Sequence, residues 1–216
     1  MKTKNVLTAL LITGAVLGAS TAQAVSLSWS QRTTAYVNQV FDPSPAIGLS
    51  GPAQYSNISV GDLLITTGAA GAVFTVTYLG QESGFSDGVA RASFANTLLT
   101  ESNNVGDTAS FFVAGGLTSS AVDFKFFDSS LGSAVNGGAW SIGNSIGLIG
   151  TNVNVGGYGS FAYVLGYNDS GTGHDDWDDF VIGVNAVDRR VPEPGTLALL
   201  GLGLIGLGFG RRRKTA

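Results

Sequence analysis

The sequence predicts an all-β fold, an antiparallel β-sandwich or jelly-roll-like domain, and three observations support this class. Apolar and polar residues alternate over short segments, which is the two-residue period of a β-strand. Clusters of Gly, Asn, Ser and Asp separate these segments, and the chain of 216 residues contains 32 glycines. No segment between the two chain ends shows helical periodicity. We therefore expect short strands packed in two layers, with a barrel as the alternative.

The strand pattern is clear in six segments and weaker in three. Segments 63–65 and 73–78 flank the glycine-rich turn 68–71 and therefore predict a hairpin. The other clear candidates are 110–113, 122–127, 160–165 and 180–184. The weaker candidates are 36–41, 91–99 and 145–149. No repeat of fixed period occurs, which argues against a solenoid or a propeller.

The composition restricts the kinds of site that the chain can build. There is no cysteine, so disulfide scaffolds, thiolate metal sites and cysteine nucleophiles are excluded. His174 is the only histidine, so neither a histidine-built zinc site nor a Ser-His-Asp triad is expected. Hydrophobic residues make up 44% of the chain and charged residues 12%, a balance that is typical of a folded protein.

The N-terminus has the three parts of a secretory signal peptide. Lys2 and Lys4 form a basic region, residues 6–19 are an uncharged apolar run, and residues 22–24 read Ala-Gln-Ala, a small-x-small cleavage site. We therefore expect a signal helix within residues 1–24, which signal peptidase removes. The alternative is a lasting membrane anchor, for which the apolar run is short.

The C-terminus combines a short motif, an apolar run and a basic end. The motif is Val191-Pro192-Glu193-Pro194, and the basic end is Arg211, Arg212, Arg213 and Lys214. Between them lie sixteen apolar or small residues, six of them glycine. A helix of this length spans about 24 Å, less than a bilayer core of about 30 Å. We expect a transmembrane helix over about 195–210, held temporarily, with the basic end on the cytoplasmic side.

This tail, residues 191 to about 214, resembles the PEP-CTERM sorting signal of Gram-negative bacteria. The resemblance implies recognition by an exosortase, a membrane cysteine protease-transpeptidase, with processing close to residues 192–194. It also implies an inner-membrane-anchored intermediate, a final place in the cell envelope or outside the cell, and a host that makes exopolysaccharide or biofilm matrix. The family shares the tail and not the body, so the resemblance gives a destination and no activity.

The mature body is acidic. We expect one glycine-rich β-domain over residues 25–188, followed by a linker and the sorting tail over 189–216. Between residues 25 and 191 there are five basic and fourteen acidic residues, a net charge of −9 against −4 for the whole chain. Such a surface repels nucleic acid and anionic lipid and attracts cations. No nucleic-acid partner is therefore expected.

An Asp-rich segment near the end of the body predicts a calcium site. Ca²⁺ takes six to eight oxygen ligands, which carboxylates and loop carbonyls supply. The candidate ligands are Asp169, Asp175, Asp176 and Asp178. Because residues 180–184 are expected to alternate as a strand, Asp178 and Asp179 should point to opposite sides, so the segment cannot direct every carboxylate to one ion. The alternative is a solvated acidic loop with one Asp buried to cap a turn.

Two further patterns concern carbohydrate. Glu82 with Glu101 or Asp87 is a conceivable pair of carboxyl groups for a glycosidase, which needs two such groups flanking a bond. Exposed aromatic rings beside Asp or Asn are a common surface for stacking on sugars. The three tryptophans, all of which a β-sandwich could instead bury, are Trp29, Trp140 and Trp177.

The features together predict an exported, exosortase-sorted, non-enzymatic β-sandwich of the cell envelope or extracellular matrix, with exopolysaccharide as a possible ligand and Ca²⁺ as a possible cofactor. No catalytic constellation stands out, so no enzyme activity is expected. Two alternatives stay open: a carbohydrate-active enzyme that uses an Asp/Glu pair, and a structural surface subunit that self-associates through sheet edges.

Overall fold

The computed structural model describes residues 24–37, 41–43, 48–94, 96–130, 132–169, 175–189 and 203. The predicted signal helix and, apart from Gly203, the predicted transmembrane helix lie outside the described residues. Among the residues that are described, no helix is long and apolar enough to cross a membrane.

Strands account for almost all regular structure in the described part of the chain, and every pairing between them is antiparallel. The strands are β1 Ser26–Tyr36, β2 Asn57–Thr66, β3 Ala72–Gly80, β4 Asp87–Ala90, β5 Thr97–Thr100, β6 Thr108–Val113, β7 Ser120–Ala121, β8 Lys125–Asp128, β9 Gly132–Val135, β10 Ser145–Val155, β11 Gly159–Asn168 and β12 Phe180–Asp188.

The strands form two sheets with a shared aromatic core. The larger sheet has the order β1-β2-β10-β11-β12-β3-β6, with β7 beside β2, and the smaller has the order β5-β4-β8-β9. Phe126 of the smaller sheet stacks on Tyr167 of the larger, with ring centroids 5.3 Å apart, and meets Phe180 edge-on at 6.2 Å. The predicted all-β class and antiparallel sandwich are confirmed.

Five of the six clear strand predictions fall inside observed strands, namely those in β2, β3, β6, β11 and β12. Among the weaker ones, 145–149 is the beginning of β10. Three predictions had the wrong bounds. Segment 122–127 is a strand only from Lys125 onward, 91–99 reaches only the first residues of β5, and 36–41 begins at the last residue of β1.

The predicted hairpin between 63–65 and 73–78 is wrong, although both segments are strands. β2 pairs with β1, β10 and β7, whereas β3 pairs with β12 and β6. β1 pairs with β2 along its whole length, from Ser26 opposite Thr66 to Tyr36 opposite Asn57. The turn at 68–71 therefore leads from β2 to β3, which are separated in the sheet by β10, β11 and β12, instead of closing a hairpin.

A pair of glycines on the larger sheet positions the Asp-rich segment. Gly147 of β10 and Gly166 of β11 lie directly opposite each other, and Trp177 packs onto them. A Cβ atom at Gly166 would lie 1.9 Å from the Trp177 carbonyl oxygen, and one at Gly147 would lie 2.5 Å from Trp177 Cδ1. The buried indole donates a hydrogen bond to Ser145 Oγ at 3.1 Å. Only glycine at both positions leaves room for this contact.

We expect Gly166→Ala to lower the free energy of unfolding by about 1–3 kcal/mol, because the new methyl group must displace the Trp177 backbone. Urea unfolding of the full chain in mild detergent measures this change. Gly156→Ala is the matched control, since its Cβ would meet open space in the turn before β11. Equal unfolding midpoints for the two variants would contradict the role assigned to the glycine pair.

Candidate functional site

Carboxylates gather at one end of the sandwich, where the Asp-rich segment meets the chain between β3 and β4. We call Asp42, Glu82 and Asp178 the outer carboxylate group. One carboxylate oxygen of each lies within 4.8 Å of the others. Asp42 and Glu82 are exposed, whereas Asp178 is fully buried. The group therefore has a buried floor and an open rim.

Backbone hydrogen bonds fix the outer group. The Asp42 N–H donates to Asp178 Oδ2 at 2.5 Å, and the Glu82 N–H donates to the Asp178 carbonyl oxygen at 3.0 Å. Asp178 thereby connects three segments that are far apart in the sequence. Burial raises the pKa of Asp178, and the charges of Asp176 and Glu82 raise it further, against the lowering effect of the bond from Asp42.

A second set, the inner carboxylate group, consists of Asp87, Asp169 and Asp179. Asp87 begins β4, Asp169 follows β11 and Asp179 precedes β12, and all three are buried. Ser83 Oγ donates to Asp169 Oδ2 at 2.6 Å, and the Asp169 N–H donates to Asp179 Oδ2 at 2.7 Å. Across the β4–β8 ladder, Asp87 lies directly opposite the buried Asp128. Opposed carboxylates in a sheet are unfavourable when both are ionised.

The inner group is arranged to hold protons. Asp87 is 1% exposed, and neither of its carboxylate oxygens has a hydrogen bond of ordinary geometry. Burial, followed by the nearby charge of Asp169, raises the pKa of Asp87 to about 8. The pKa of Asp179 is raised as well, first by burial and then by its carboxylate neighbours, although the N–H of Asp169 lowers it. The ion pairs Arg32–Asp62 and Arg91–Asp123 lie outside both carboxylate groups.

The structure distributes the four predicted calcium ligands over different places. Asp178 lies in the outer group and Asp169 in the inner group. Asp176 is buried and acts electrostatically on both Asp178 and Asp179. Asp175 accepts a hydrogen bond from Asn168 Nδ2 at 2.8 Å. Asp178 and Asp179 thus have different hydrogen-bond partners, and binding of Ca²⁺ by these four residues stays a prediction.

Sequence reasoning did not assign Asp42, Asp87 or Asp179 to a cation site, and it considered Glu82 only for catalysis. Asp42 lies more than a hundred residues from Asp178, so no local pattern joins them. The sequence offered one indication. If side chains alternate at residues 178–179, the carboxylates of Asp178 and Asp179 need different partners.

The structure also shows where the candidate residues for sugar stacking and glycoside hydrolysis lie. Trp177 is fully buried, so it offers no ring for stacking, and the suggestion that it does so is wrong. Trp29 and Trp140 are half-buried; the Trp29 indole donates to Ser59 Oγ at 2.8 Å, and the Arg32 guanidinium lies 5.5 Å from the Trp140 ring. Because Asp87 is buried, a Glu82–Asp87 pair is not open to a substrate.

A groove of about 330 Å³ lies on the outer face of the smaller sheet. Its lining residues are Ala90, Phe94, Thr97, Lys125, Phe127, Asp128, Gly132 and Ser133. Phe94 is 55% exposed, and the Arg91 guanidinium covers its ring at 4.4 Å from the centroid. Arg91 is itself held by Asp123 at 2.6 Å. The ring is thus held in place at the edge of the groove.

Comparison with known families identifies the C-terminal tail. Residues 190–214 match the family described as the PEP-CTERM protein-sorting motif. The chain carries a PEP-CTERM sorting motif. The predicted motif residues 191–194 and the basic residues 211–214 lie within the match and outside the described residues. A PEP-CTERM motif implies export, a membrane-anchored intermediate and processing by an exosortase. Neither the curated proteins nor the solved structures gave a significant match to this chain.

The raised pKa of Asp87 predicts that stability falls as the pH rises. An unfolded Asp ionises at about pH 4, whereas folded Asp87 keeps its proton up to about pH 8. Between these pH values the folded state binds one more proton than the unfolded state. The stabilisation from this proton is fully present below about pH 4, and it is lost as the pH rises through about pH 8. We expect urea unfolding of the full chain, measured in chelator, to show that the free energy of unfolding declines as the pH rises.

Asp87→Asn tests the assignment, because an amide does not titrate. Asp169, Asp128, Asp179 and the Ser83 hydroxyl interact with Asp87, and all of them stay in place in this variant. We expect a smaller decline of the unfolding free energy between about pH 5 and about pH 8 than in the unaltered chain. The same decline in both proteins would show that other groups cause it.

Proposed function

We propose that this PEP-CTERM protein is a non-enzymatic β-sandwich of the cell envelope or extracellular matrix, and that it contacts exopolysaccharide. The sorting motif supports export and anchored processing, and the groove on the smaller sheet is the observation that supports a polysaccharide ligand. A ligand site typically joins apolar surface to a few fixed polar groups. The groove has both.

The groove is suited to a sugar chain in three respects. The Phe94 ring is exposed and already held by Arg91, so little side-chain entropy is lost on binding. The Phe127 ring lies against Gly88, where a Cβ atom would come within 2.7 Å of it, so the floor is flat. Lys125 adds an ammonium group, one of five basic side chains between residues 25 and 191, which favours an acidic sugar.

The carboxylates favour a structural role over catalysis. A glycosidase requires an acid and a second carboxylate that both reach the substrate. Most of the grouped carboxylates at the end of the sandwich are buried, and the two exposed ones, Asp42 and Glu82, belong to the group that Asp178 fixes. Asp42 and Glu82 are close enough to act as a pair, so a carbohydrate-active enzyme is the second candidate, and release of reducing sugar from host exopolysaccharide would support it.

Binding of purified host exopolysaccharide by the full chain in mild detergent tests the groove. We expect Phe94→Ala and Lys125→Ala each to weaken binding at least about fivefold, the equivalent of about 1 kcal/mol. Affinity electrophoresis in gels containing the polysaccharide measures the change.

Phe112→Ala is the matched control for Phe94→Ala. Phe112 is also an exposed phenylalanine, at 47%, and the Arg189 guanidinium lies 5.1 Å from its ring, but it does not line the groove. Equal binding by all three variants would show that the groove is not the binding site. Absence of binding by the unaltered chain would show that exopolysaccharide is not the ligand.

The sorting signals predict the mass of the mature protein. In its native host we expect a species that begins at Val25 and ends near Pro192, because signal peptidase and exosortase act at the two ends. Intact mass spectrometry of cells and medium, measured separately, checks both ends. A mature species that retains residues 211–216 would instead show that the tail is a lasting anchor.

A further inference from the structure

A row of apolar side chains crosses the larger sheet at the end where the chain leaves the sandwich. Val187 of β12 lies opposite Val73 of β3, and Val73 lies opposite Phe112 of β6. Directly opposed residues of neighbouring strands point to the same face of a sheet, so these three side chains form one row, which we call the apolar row. Val187 is 59% exposed and Phe112 is 47% exposed, whereas the preceding residues, Ala186 and Phe111, pack in the core.

Two uncharged loops lie at the same end of the sandwich. Residues 68–71, which precede β3, read Gly-Ala-Ala-Gly, and residues 114–117, which follow β6, read Ala-Gly-Gly-Leu. A backbone hydrogen bond of 3.0 Å from the Gly116 N–H to the Gly68 carbonyl oxygen joins the two loops. The apolar row therefore borders a compact surface without charged side chains.

Arg189 adds a cation beside the row. Its N–H donates to the Gly71 carbonyl oxygen at 3.0 Å, and its guanidinium lies 5.1 Å from the centroid of the Phe112 ring. A guanidinium offers a planar set of N–H donors that suits phosphate oxygens. Asp188 points to the other face, where its Oδ1 accepts a hydrogen bond from the Val25 N–H at 2.9 Å. Apolar side chains next to arginine are typical of a surface that lies on phospholipid headgroups.

The position of the sorting tail indicates what this surface meets. The motif at residues 190–214 implies a membrane-anchored intermediate, and the predicted membrane segment begins at about residue 195. Six residues beyond Arg189 reach at most about 20 Å, even when they are fully extended. Until an exosortase acts, the apolar row is therefore kept close to the bilayer. Such a tether gives a high effective concentration, so that a small contact is enough for docking.

The distribution of charge favours the same orientation. β12 begins directly after Asp179, at the acidic end of the sandwich, and it ends directly before Arg189. Its nine residues span about 30 Å. Since the Debye length is about 8 Å at physiological ionic strength, carboxylates at the far end do not repel a lipid surface at the near end. The net charge of −9 between residues 25 and 191 is thus compatible with lipid contact at this end.

We propose that the sandwich of the anchored chain docks on phospholipid headgroups through the apolar row and Arg189. Phe112 and Val187 enter the region between headgroups and acyl chains, Arg189 binds lipid phosphate, and the acidic end points away from the membrane. The proposal rests on the anchored intermediate and not on polysaccharide binding. The row is also separate from the groove on the smaller sheet, so each proposal can fail without the other.

Site-specific fluorescence in vesicles tests the docking. The chain has no cysteine, so one introduced cysteine carries the fluorophore. Val187→Cys places it in the row. Phe85→Cys is the control, because Phe85 is also exposed, at 42%, but lies between β3 and β4 at the acidic end. Each labelled full chain is reconstituted in vesicles of phosphatidylethanolamine and phosphatidylglycerol that contain a nitroxide-labelled lipid. We expect the nitroxide to quench the label at 187 at least about threefold more than the label at 85, because about 30 Å separates the two ends. Equal quenching at the two positions would overturn the proposal.

A charge in the row separates docking from simple tethering. In the chain labelled at 187, we expect Phe112→Glu to lower the quenching to the level of the control label, because a carboxylate resists transfer into the lipid interface. Phe85→Glu in the same labelled chain adds the same charge at the acidic end and should leave the quenching unchanged. Phe112 is exposed, and an unchanged urea unfolding midpoint checks that its variant folds. Unchanged quenching in a folded Phe112→Glu chain would show that the tail alone brings the label to the lipid, and would overturn the proposal.

Discussion

The Trp177 backbone lies directly on the Gly147–Gly166 pair, and the acidic end of the sandwich depends on this contact. The carbonyl of Trp177 occupies the space that a side chain at Gly166 would fill, and Trp177 itself has a positive φ of 64°. With the indole buried and hydrogen-bonded to Ser145, the chain cannot rotate. Asp178 and Asp179 follow directly, and they accept hydrogen bonds from Asp42 and Asp169 respectively.

The two carboxylates have different surroundings. The buried Asp178 meets Asp42 and Glu82, whose side chains are exposed. Asp179 meets Asp169 between the sheets, and Asp87 enters the same region from the smaller sheet. In the buried region the available compensation is retention of protons, as the raised pKa of Asp87 shows. Burial raises the pKa of both Asp178 and Asp179, so both carboxylates favour the protonated form.

The groove lined by Phe94, Lys125 and Phe127 lies on the other face of the same small sheet. β8 points Phe126 into the core and Lys125 and Phe127 outward, so the strand that packs against Tyr167 also lines the groove. Because alternate residues of one strand serve the two faces, a repacked core would disturb the groove as well. The rigid core and the proposed ligand surface are therefore mechanically linked.

The all-β class, most strand positions and the sorting tail could be predicted from the sequence alone. Strand periodicity is a local pattern. The sorting tail is contiguous as well, because the Val-Pro-Glu-Pro motif, the apolar run and the basic end follow one another in the chain. Both can therefore be recognised without knowledge of the fold. The pairing of β2 with β1 rather than β3, the burial of Trp177, and the approach of Asp42 and Glu82 to Asp178 could not be read from the sequence. These outcomes depend on contacts between residues far apart in the chain, and alternation specifies which face of a strand is buried but not which strand lies beside it.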